Sequence, residues 1–349
     1  MKQEKVLKKN INFYCGVIFT VLEGLLSGSN FMVLYAVMQM LYRNEIRINT
    51  LLTLTGILAG IYFLRLFVYS FGYTQGQIGG AKVSKNIRLH LGDKIKKIPL
   101  SRFTKGQTGQ YINTITSDVS NYEKVLTHKT GDLAKNISLS AMLIVFVAVI
   151  WFPAGIILLC TDLLLIPAFW FSFRAVKKYG NEKKQICAEN VSSIVEYVTG
   201  IQTFRAYGIG GTKNETVTKA MKDFSDISYI YEAKVIPIGS ILGVLAWCSI
   251  PVVMVAGIGP VLNGELDLIS YLLISMLPLF LAKLETTIFV DLTSYKNLTI
   301  SKRQITSIFK EPEETGSMEP LQTATHEITF DSVDFSYVPG EPVLKHATF

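Results

Sequence analysis

Charge and cysteine are both scarce in this sequence. Only 17% of the 349 residues are charged, whereas an average soluble chain has about 25%, so the composition argues against a cytosolic enzyme. The four cysteines form no C-x-x-C pair and have no histidine at ligand spacing; they are Cys15, Cys160, Cys187 and Cys248. A disulfide framework is therefore excluded and a metal site is not expected. Hydrophobic residues make up 49% of the chain, too many for a disordered protein.

Six apolar runs approach or exceed the length of about 20 helical residues that crosses a bilayer. They extend over 13–41, 48–73, 137–151, 154–173, 235–258 and 268–290. The third run is short and ends at an aromatic turn, Trp151-Phe152-Pro153. The sequence therefore predicts an all-α membrane protein whose six transmembrane helices are embedded in the lipid bilayer.

The distribution of lysine and arginine predicts the orientation of these helices. The N-terminal tail carries four basic residues, the segment 76–135 carries eleven and the segment 174–234 carries ten, whereas the loop 259–267 carries none. Basic residues are retained on the cytoplasmic side of a membrane. We therefore expect a multi-pass protein of the cell membrane with both termini and both long segments in the cytoplasm. This topology explains the net charge of +7 without a nucleic-acid partner.

Each of the two long cytoplasmic segments is about sixty residues in length, and neither has the composition of a linker. Val83, Ile87, Leu91 and Ile95 recur every four residues, which is typical of a helix face. Glycines interrupt the pattern near 106–109 in the first segment and near 199–211 in the second. We expect two helical hairpins that extend the transmembrane helices into the cytoplasm. A pair of solvated loops is the alternative.

The character of the sequence changes after Lys310. Residues 311–326 are acidic at first and rich in helix breakers, as in a linker, and residues 327–349 alternate apolar and polar residues with β-branched and aromatic side chains. Such alternation indicates β-strands. We therefore divide the chain into a membrane domain at 1–310, a linker at 311–326 and a short β segment at 327–349.

Three motifs together resemble the ABC transporters whose exporter-type transmembrane domain (the type IV fold) is fused to a nucleotide-binding domain. The β segment reads I-x-F-x-x-V-x-F-x-Y from Ile328 to Tyr337, like the first strands of that nucleotide-binding domain. Residues 106–118 and 196–208 resemble the first and second intracellular loops of the family. The resemblance implies that the parent protein uses ATP and Mg²⁺ and pairs with a second half-transporter, identical or related.

The resemblance also implies roles for individual residues. Tyr337 matches the aromatic residue that stacks on adenine. The residues expected to dock onto a nucleotide-binding domain lie at the ends of the two cytoplasmic hairpins and are Leu100, Ser101, Arg102, Phe103, Gly200, Phe204, Arg205 and Tyr207.

The sequence departs from the family in one large respect. No G-x-x-x-x-G-K-[ST] phosphate loop is present, so no lysine and backbone cradle is available for nucleotide phosphates. The family's signature loop, Mg²⁺-binding aspartate and catalytic glutamate are also missing. We therefore expect a truncated nucleotide-binding domain, no catalytic residue, no metal site and no strongly bound cofactor in these 349 residues. Whether the chain acts as an enzyme is left open, since ATP hydrolysis would belong to the full-length parent.

Ionisable residues inside the apolar runs are candidates for the substrate path. Glu23 and Arg65 fall at similar depths in the first and second runs, and Asp162 falls near the middle of the fourth. An unpaired charge at such depth costs about 2.5–3.5 kcal/mol on insertion scales, so each needs a partner or a polar cavity. Glu23 and Arg65 form either a structural ion pair or part of a substrate cavity. Asp162 has no obvious partner, and Lys283 and Glu285 are interpreted as interfacial residues.

These observations favour a transmembrane subunit of an ATP-driven ABC transporter that exports a small molecule, lipid or peptide by alternating access. Residues 22–28, Leu-Glu-Gly-Leu-Leu-Ser-Gly, loosely resemble the exporter-fold importers of iron-siderophores, which gives uptake as an alternative. A membrane protein without energy coupling is the second alternative. A secondary transporter fits poorly because no inverted repeat is evident.

The topology is tested by single cysteines introduced into a chain whose four native cysteines have been replaced. We expect a membrane-impermeant thiol reagent to label positions near Asn44 and Asn263 in intact cells. Positions near Gly106 and Gly210 should be labelled only after the cells are permeabilised. Labelling near Gly106 in intact cells would contradict the six-helix topology.

Overall fold

The computed structural model describes residues 6–45, 47–103, 105–314, 328–338 and 341–349. Within these ranges, six helices are long and apolar enough to cross a membrane. We number them α1 to α6: α1 Ile11–Tyr42, α2 Ile48–Ile95, α3 Thr108–Ile150, α4 Phe152–Thr199, α5 Glu215–Leu262 and α6 Leu268–Lys310. The predicted all-α membrane fold with six transmembrane helices is confirmed.

Several of these helices are interrupted or preceded by short elements. Helix α1 consists of Ile11–Ser27 and Ser29–Tyr42, and α5 consists of Glu215–Trp247 and Ser249–Leu262. Helix α3 overlaps at its start with the helical segment Lys105–Asn113. It then contains two π-helical turns, Thr114–Asp118 and Val125–Lys129, and is a regular α-helix over Thr130–Ile150. Short helical turns at Leu100–Arg102, Ile201–Ala206 and Gly211–Lys213 mark the ends of the cytoplasmic hairpins.

Both long segments that were predicted to be cytoplasmic are helical extensions of the membrane helices. Helix α2 has 48 residues, which is about 72 Å at 1.5 Å per residue, far more than the 30 Å of a bilayer core. Val83, Ile87 and Leu91, from the four-residue repeat, are buried and pack with residues such as Val119 and Ile305 of α3 and α6. The prediction of helical hairpins is therefore confirmed, and the alternative of solvated loops is wrong for the described residues.

A second apolar core lies within the membrane region and joins four helices. Its buried residues include Val147 of α3, Leu158 of α4, Val253 of α5, and Ile274 and Leu277 of α6. The predicted short third span is the membrane part of the much longer helix α3, which ends at Ile150. Trp151 lies in an extended conformation between α3 and α4, so the aromatic turn expected there is present.

Small residues allow α1 and α2 to pack backbone against backbone. A Cβ atom added at Gly16 would lie 2.6 Å from the backbone nitrogen of Gly76, and one added at Gly79 would lie 2.6 Å from the backbone nitrogen of Phe13. Glycines on α1 also contact α3, because Gly24 faces Ser138 and Gly28 faces Met142. Close approach through small residues is a common basis for helix association in membranes.

The C-terminal residues form a small antiparallel hairpin of β1 Val333–Val338 and β2 Glu341–Ala347, with Phe335 opposite Leu344. The backbones of Phe330 and Phe349 extend this pairing with hydrogen bonds of 2.8 and 3.0 Å. The predicted strands are therefore present. Most of the predicted linker, residues 315–326, and two residues of the turn, 339–340, lie outside the described residues, so the domain division remains a prediction.

Two neighbouring glycines of α2 test the packing of α1 on α2. Gly79→Ala places a methyl group against the Phe13 backbone, and we expect it to destabilise the protein by about 1–3 kcal/mol through overpacking. Gly76→Ala is the control, since nothing lies within 4 Å of its added Cβ and alanine favours a helix by up to about 1 kcal/mol. Thermal unfolding of the purified chain in detergent measures both. Equal midpoints for the two variants would contradict the close contact.

Candidate functional site

A buried ion network ties the first three helices together within the membrane region. Glu23 of α1 is only 3% exposed. Its Oε1 atom lies 3.2 Å from Nη2 of Arg65 on α2, and its Oε2 atom lies 2.8 Å from Nζ of Lys135 on α3. The ion pair between Glu23 and Arg65 predicted from depth is confirmed. Lys135 is a partner that the sequence reasoning missed, because it lies outside the predicted third run.

Polar and aromatic neighbours complete this network. Arg65 Nη2 donates a 2.8 Å hydrogen bond to Ser27 Oγ, and its guanidinium lies 5.5 Å from the ring centre of Tyr62. Lys135 Nζ lies 5.7 Å from the ring centre of Tyr69. Each charge therefore has an opposite charge or an aromatic face nearby, as charges within a membrane require. The arrangement suits a structural clamp between α1, α2 and α3.

Asp162 has a different environment, because it lines a cavity between α3, α4 and α6. The cavity has a volume of about 580 Å³, within the usual range for small-molecule sites. Most of its lining is apolar, for example Val145 of α3, Leu159 of α4 and Ile288 of α6. The acidic groups in the lining are Asp162 and Glu285, whose carboxyls interact directly with each other.

The interpretation of Glu285 as an interfacial residue is wrong. Glu285 is only 6% exposed and faces Asp162, the residue for which the sequence offered no partner. Counted along their helices, Asp162 lies ten residues from the start of α4 and Glu285 seventeen residues from the start of α6. At 1.5 Å per residue these depths differ by about 10 Å. Their contact shows that the two helices are offset or tilted, which counting along the sequence does not reveal.

A polar network at the opposite end of the helices from the cytoplasmic hairpins links α1 to α6. Tyr35 Oη lies 2.8 Å from Ser270 Oγ, and Gln39 Nε2 donates a 2.8 Å hydrogen bond to Asp267 Oδ2. Asp267 also caps α6 by accepting from the Ser270 backbone nitrogen. Partial burial opposes its ionisation, but the hydrogen bonds from Ser270 and Gln39 outweigh this effect and lower the pKa of Asp267. A charged cap therefore holds the two helix ends together.

The two cytoplasmic hairpins present exposed apolar side chains at their ends. Leu100 in the first hairpin is 83% exposed and Tyr207 in the second is 77% exposed. Arg102 and Arg205 are also exposed, and Phe103 is half-buried. Gly200 begins the short helix Ile201–Ala206; the side chain of Ser101 lies outside the described part of the structure.

Aromatic contacts make these ends well-defined surfaces. In the second hairpin the Phe204 ring stacks on Tyr197 at 5.5 Å, and Tyr197 Oη accepts a 2.6 Å hydrogen bond from the Gly211 backbone. In the first, Phe103 lies 5.4 Å from the Tyr111 ring. Large exposed apolar side chains held by a rigid support are typical of interaction surfaces.

The start of the linker lies against the end of the first hairpin. Glu313 Oε1 is 2.9 Å from Lys94 Nζ, and the backbone nitrogen of Glu314 donates a 2.7 Å hydrogen bond to the Lys97 carbonyl. The backbone of Tyr337, the predicted adenine-stacking residue, lies in β1, but its side chain is outside the described part of the structure. The structure therefore does not test its proposed role.

Comparison with known proteins identifies the class. Residues 13–282 match the family model of the ABC transporter transmembrane region. Since the match covers more than half of the chain, the chain belongs to this family. Together with the six long apolar helices, this shows a multi-pass membrane protein with an ABC exporter-type transmembrane domain, as the sequence motifs predicted.

Curated relatives are similar over most of this chain. A fatty acid ABC transporter ATP-binding/permease protein of Mycobacterium bovis is 24% identical over 281 residues, which cover 76% of this chain and 42% of the relative. The lactococcin-G-processing and transport ATP-binding protein LagD of Lactococcus lactis is 24% identical over 304 residues, 84% of this chain and 42% of the relative. A putative export ATP-binding/permease protein of Rickettsia bellii is 24% identical over 282 residues. The chain thus spans about two fifths of the length of the first two.

A double-mutant cycle tests the ion network. We expect Glu23→Gln and Arg65→Gln to be coupled by about 1–3 kcal/mol in the free energy of unfolding, because each removes the same buried interaction. Thermal or denaturant unfolding in detergent measures the four proteins of the cycle.

The matched control for this cycle combines Arg65→Gln with Glu265→Gln. Glu265 is an exposed acid in the loop between α5 and α6, so its change should add to that of Arg65 within about 0.5 kcal/mol. If the changes in the free energy of unfolding are additive in both cycles, Glu23 and Arg65 act independently.

Proposed function

We propose that this chain is the transmembrane half of an ATP-driven transporter that exports an apolar or amphipathic molecule from the cell by alternating access. The observation that carries the proposal is the continuity of four membrane helices, α2 to α5, with two hairpins whose ends present exposed apolar side chains. Such an end suits docking to an ATP-binding domain, and a continuous helix transmits the movement of its end to the membrane.

One ion pair joins the two hairpins and a second joins the first hairpin to α6, which supports the transmission of movement by these helices. Nζ of Lys184 on α4 lies 2.7 Å from Oδ1 of the buried Asp118 on α3 and also hydrogen-bonds Ser301 on α6. Nearer the membrane, Lys129 of α3 lies 2.6 Å from Asp291 of α6. A buried pair is strongly destabilising to break, so α3, α4 and α6 move together.

ATP and Mg²⁺ belong to the partner domain rather than to the residues of this chain. The sequence has no phosphate loop, and the described residues contain no cluster of three or more histidine, cysteine or acidic residues able to hold a metal ion. Stacking on Tyr337 would contribute about 0.5–1.5 kcal/mol, whereas micromolar affinity needs about 8 kcal/mol. We therefore assign ATP binding and hydrolysis to a nucleotide-binding domain docked on Leu100 and Tyr207.

A second half-transporter, identical or related, is expected to complete the translocation path. Export is favoured over siderophore uptake by the names of the relatives, one of which is described as an export permease. In addition, Gly24 and Gly28 of the siderophore-like segment pack against α3, so helix packing accounts for these two residues. A membrane protein without energy coupling would have no need of paired hairpins with exposed apolar ends. The proposal places both termini in the cytoplasm and the protein in the cell membrane.

Tyr207→Ala tests the coupling role of the second hairpin. In the full-length protein with its nucleotide-binding domain, reconstituted in liposomes, we expect ATP binding to persist while substrate-stimulated ATPase activity falls at least tenfold, because the docking contact is lost. Tyr229→Ala is the matched control, since Tyr229 is 76% exposed but lies along α5 away from the hairpin end, and it should leave both measurements unchanged. Equal activities of the two variants, or the absence of ATP-driven transport in the wild type, would contradict the proposal.

A further inference from the structure

We propose that the cavity between α3, α4 and α6 binds an amphipathic organic cation, a single positive group on an apolar body, as the transported substrate. This inference deepens the proposed function, on which it rests for the step of transport. The binding site itself follows from the chemistry of the cavity.

The charge of the cavity sets the sign of its ligand. Asp162 and Glu285 are the acids of its lining, and no lysine or arginine among the described residues lines it. The nearby Lys283 on α6 is exposed and is not among the lining residues. A carboxylate or phosphate head group would therefore be repelled, and a cationic one attracted.

Among the described residues the two acids contact each other, but neither has an ion pair with a basic side chain, unlike Glu23, which pairs with Arg65 and Lys135. No donor in the described part of the chain hydrogen-bonds Asp162 Oδ1 or Glu285 Oε2, although both atoms are inaccessible to water. Glu285 is also more than nine-tenths buried. Burying an acidic oxygen without a hydrogen-bond donor is costly. Because the two carboxyls hydrogen-bond each other, one of them carries a proton and the pair holds one negative charge. An ammonium or phosphonium group beside the pair would compensate this charge, as Lys135 and Arg65 compensate Glu23.

The remaining lining identifies the ligand as organic rather than metallic. The described residues contain no group of three or more acidic, histidine or cysteine side chains, whereas Ca²⁺ takes six to eight oxygen ligands. The other walls are formed by hydrophobic side chains such as Ile144, Val145, Leu159 and Phe169. With about 580 Å³ of space, the cavity suits a ligand with several apolar groups around one charge.

Tetraphenylphosphonium and tetraphenylborate are matched probes for this inference, because they have the same shape and opposite charge. Equilibrium dialysis would measure their binding to the 349-residue chain in lipid nanodiscs, with empty nanodiscs as the reference. We expect saturable binding of tetraphenylphosphonium, and affinity for tetraphenylborate at least tenfold weaker. Equal affinity for the two ions, tighter binding of the borate, or no saturable binding of the cation would overturn the inference.

Variants locate the binding to the cavity. We expect Asp162→Asn combined with Glu285→Gln to weaken tetraphenylphosphonium binding at least tenfold. Glu182→Gln, which removes an exposed acid of the same helix, should leave the affinity within threefold of the wild type. Wild-type affinity in the double variant would overturn the assignment to these acids. If the double variant does not fold, the comparison of the two ions in the wild type still decides the inference.

The binding assay separates this inference from the proposed function. Because dialysis needs neither ATP nor a nucleotide-binding domain, selective cation binding without ATP-driven transport would refute the proposed function and retain the site. ATP-driven transport without selective cation binding would refute the cation site and retain the proposed function.

Discussion

The structure depends on the need to satisfy every backbone hydrogen bond inside a lipid environment. In the membrane a helix does this with groups of a single segment. Helices α2, α3, α4 and α6 are uninterrupted over their apolar parts, whereas α1 and α5 are each interrupted at one residue, Gly28 and Cys248. Helices α2 to α5 continue beyond their apolar parts into the two hairpins, for example over all 48 residues of α2. Each membrane span and its hairpin arm are therefore parts of the same helix.

Helix association without a hydrophobic driving force then needs other contacts, and two kinds are present. Glycines bring α1 and α2 into backbone contact, as Gly79 does with Phe13. Ion pairs join helices at different depths, from Glu23 with Arg65 and Lys135 in the membrane region to Lys184 with Asp118 in the hairpins. Both kinds depend on close contact, so they determine which helices are held together.

The sequence predicted those features that depend on composition and periodicity along one helix. The six apolar runs predicted the six membrane helices, and the four-residue repeat through Ile87 predicted the buried face of the first hairpin. Glu23 and Arg65 were matched because they lie on consecutive antiparallel helices, where depth is easily counted. Lys135 was missed because it lies outside the third apolar run. The contact of Glu285 was missed because it joins helices distant in sequence, whose relative tilt and offset are set by packing and are not encoded in any local pattern.

The same helices carry the cavity and the cytoplasmic ion pairs, which relates binding to coupling. Asp162 and Lys184 are both on α4, and Glu285 and Ser301 are both on α6. The 22 residues between Asp162 and Lys184 span about 33 Å of α4, and the 16 residues between Glu285 and Ser301 span about 24 Å of α6. The carboxyl pair and the Lys184 contact therefore join α4 to α6 at two places far apart along the helices. Under the proposed function, a ligand beside the carboxyl pair would act on the spacing of α4 and α6 at the first of these places. Since packed interfaces switch between discrete arrangements rather than deform continuously, such a ligand would favour one arrangement of the two helices.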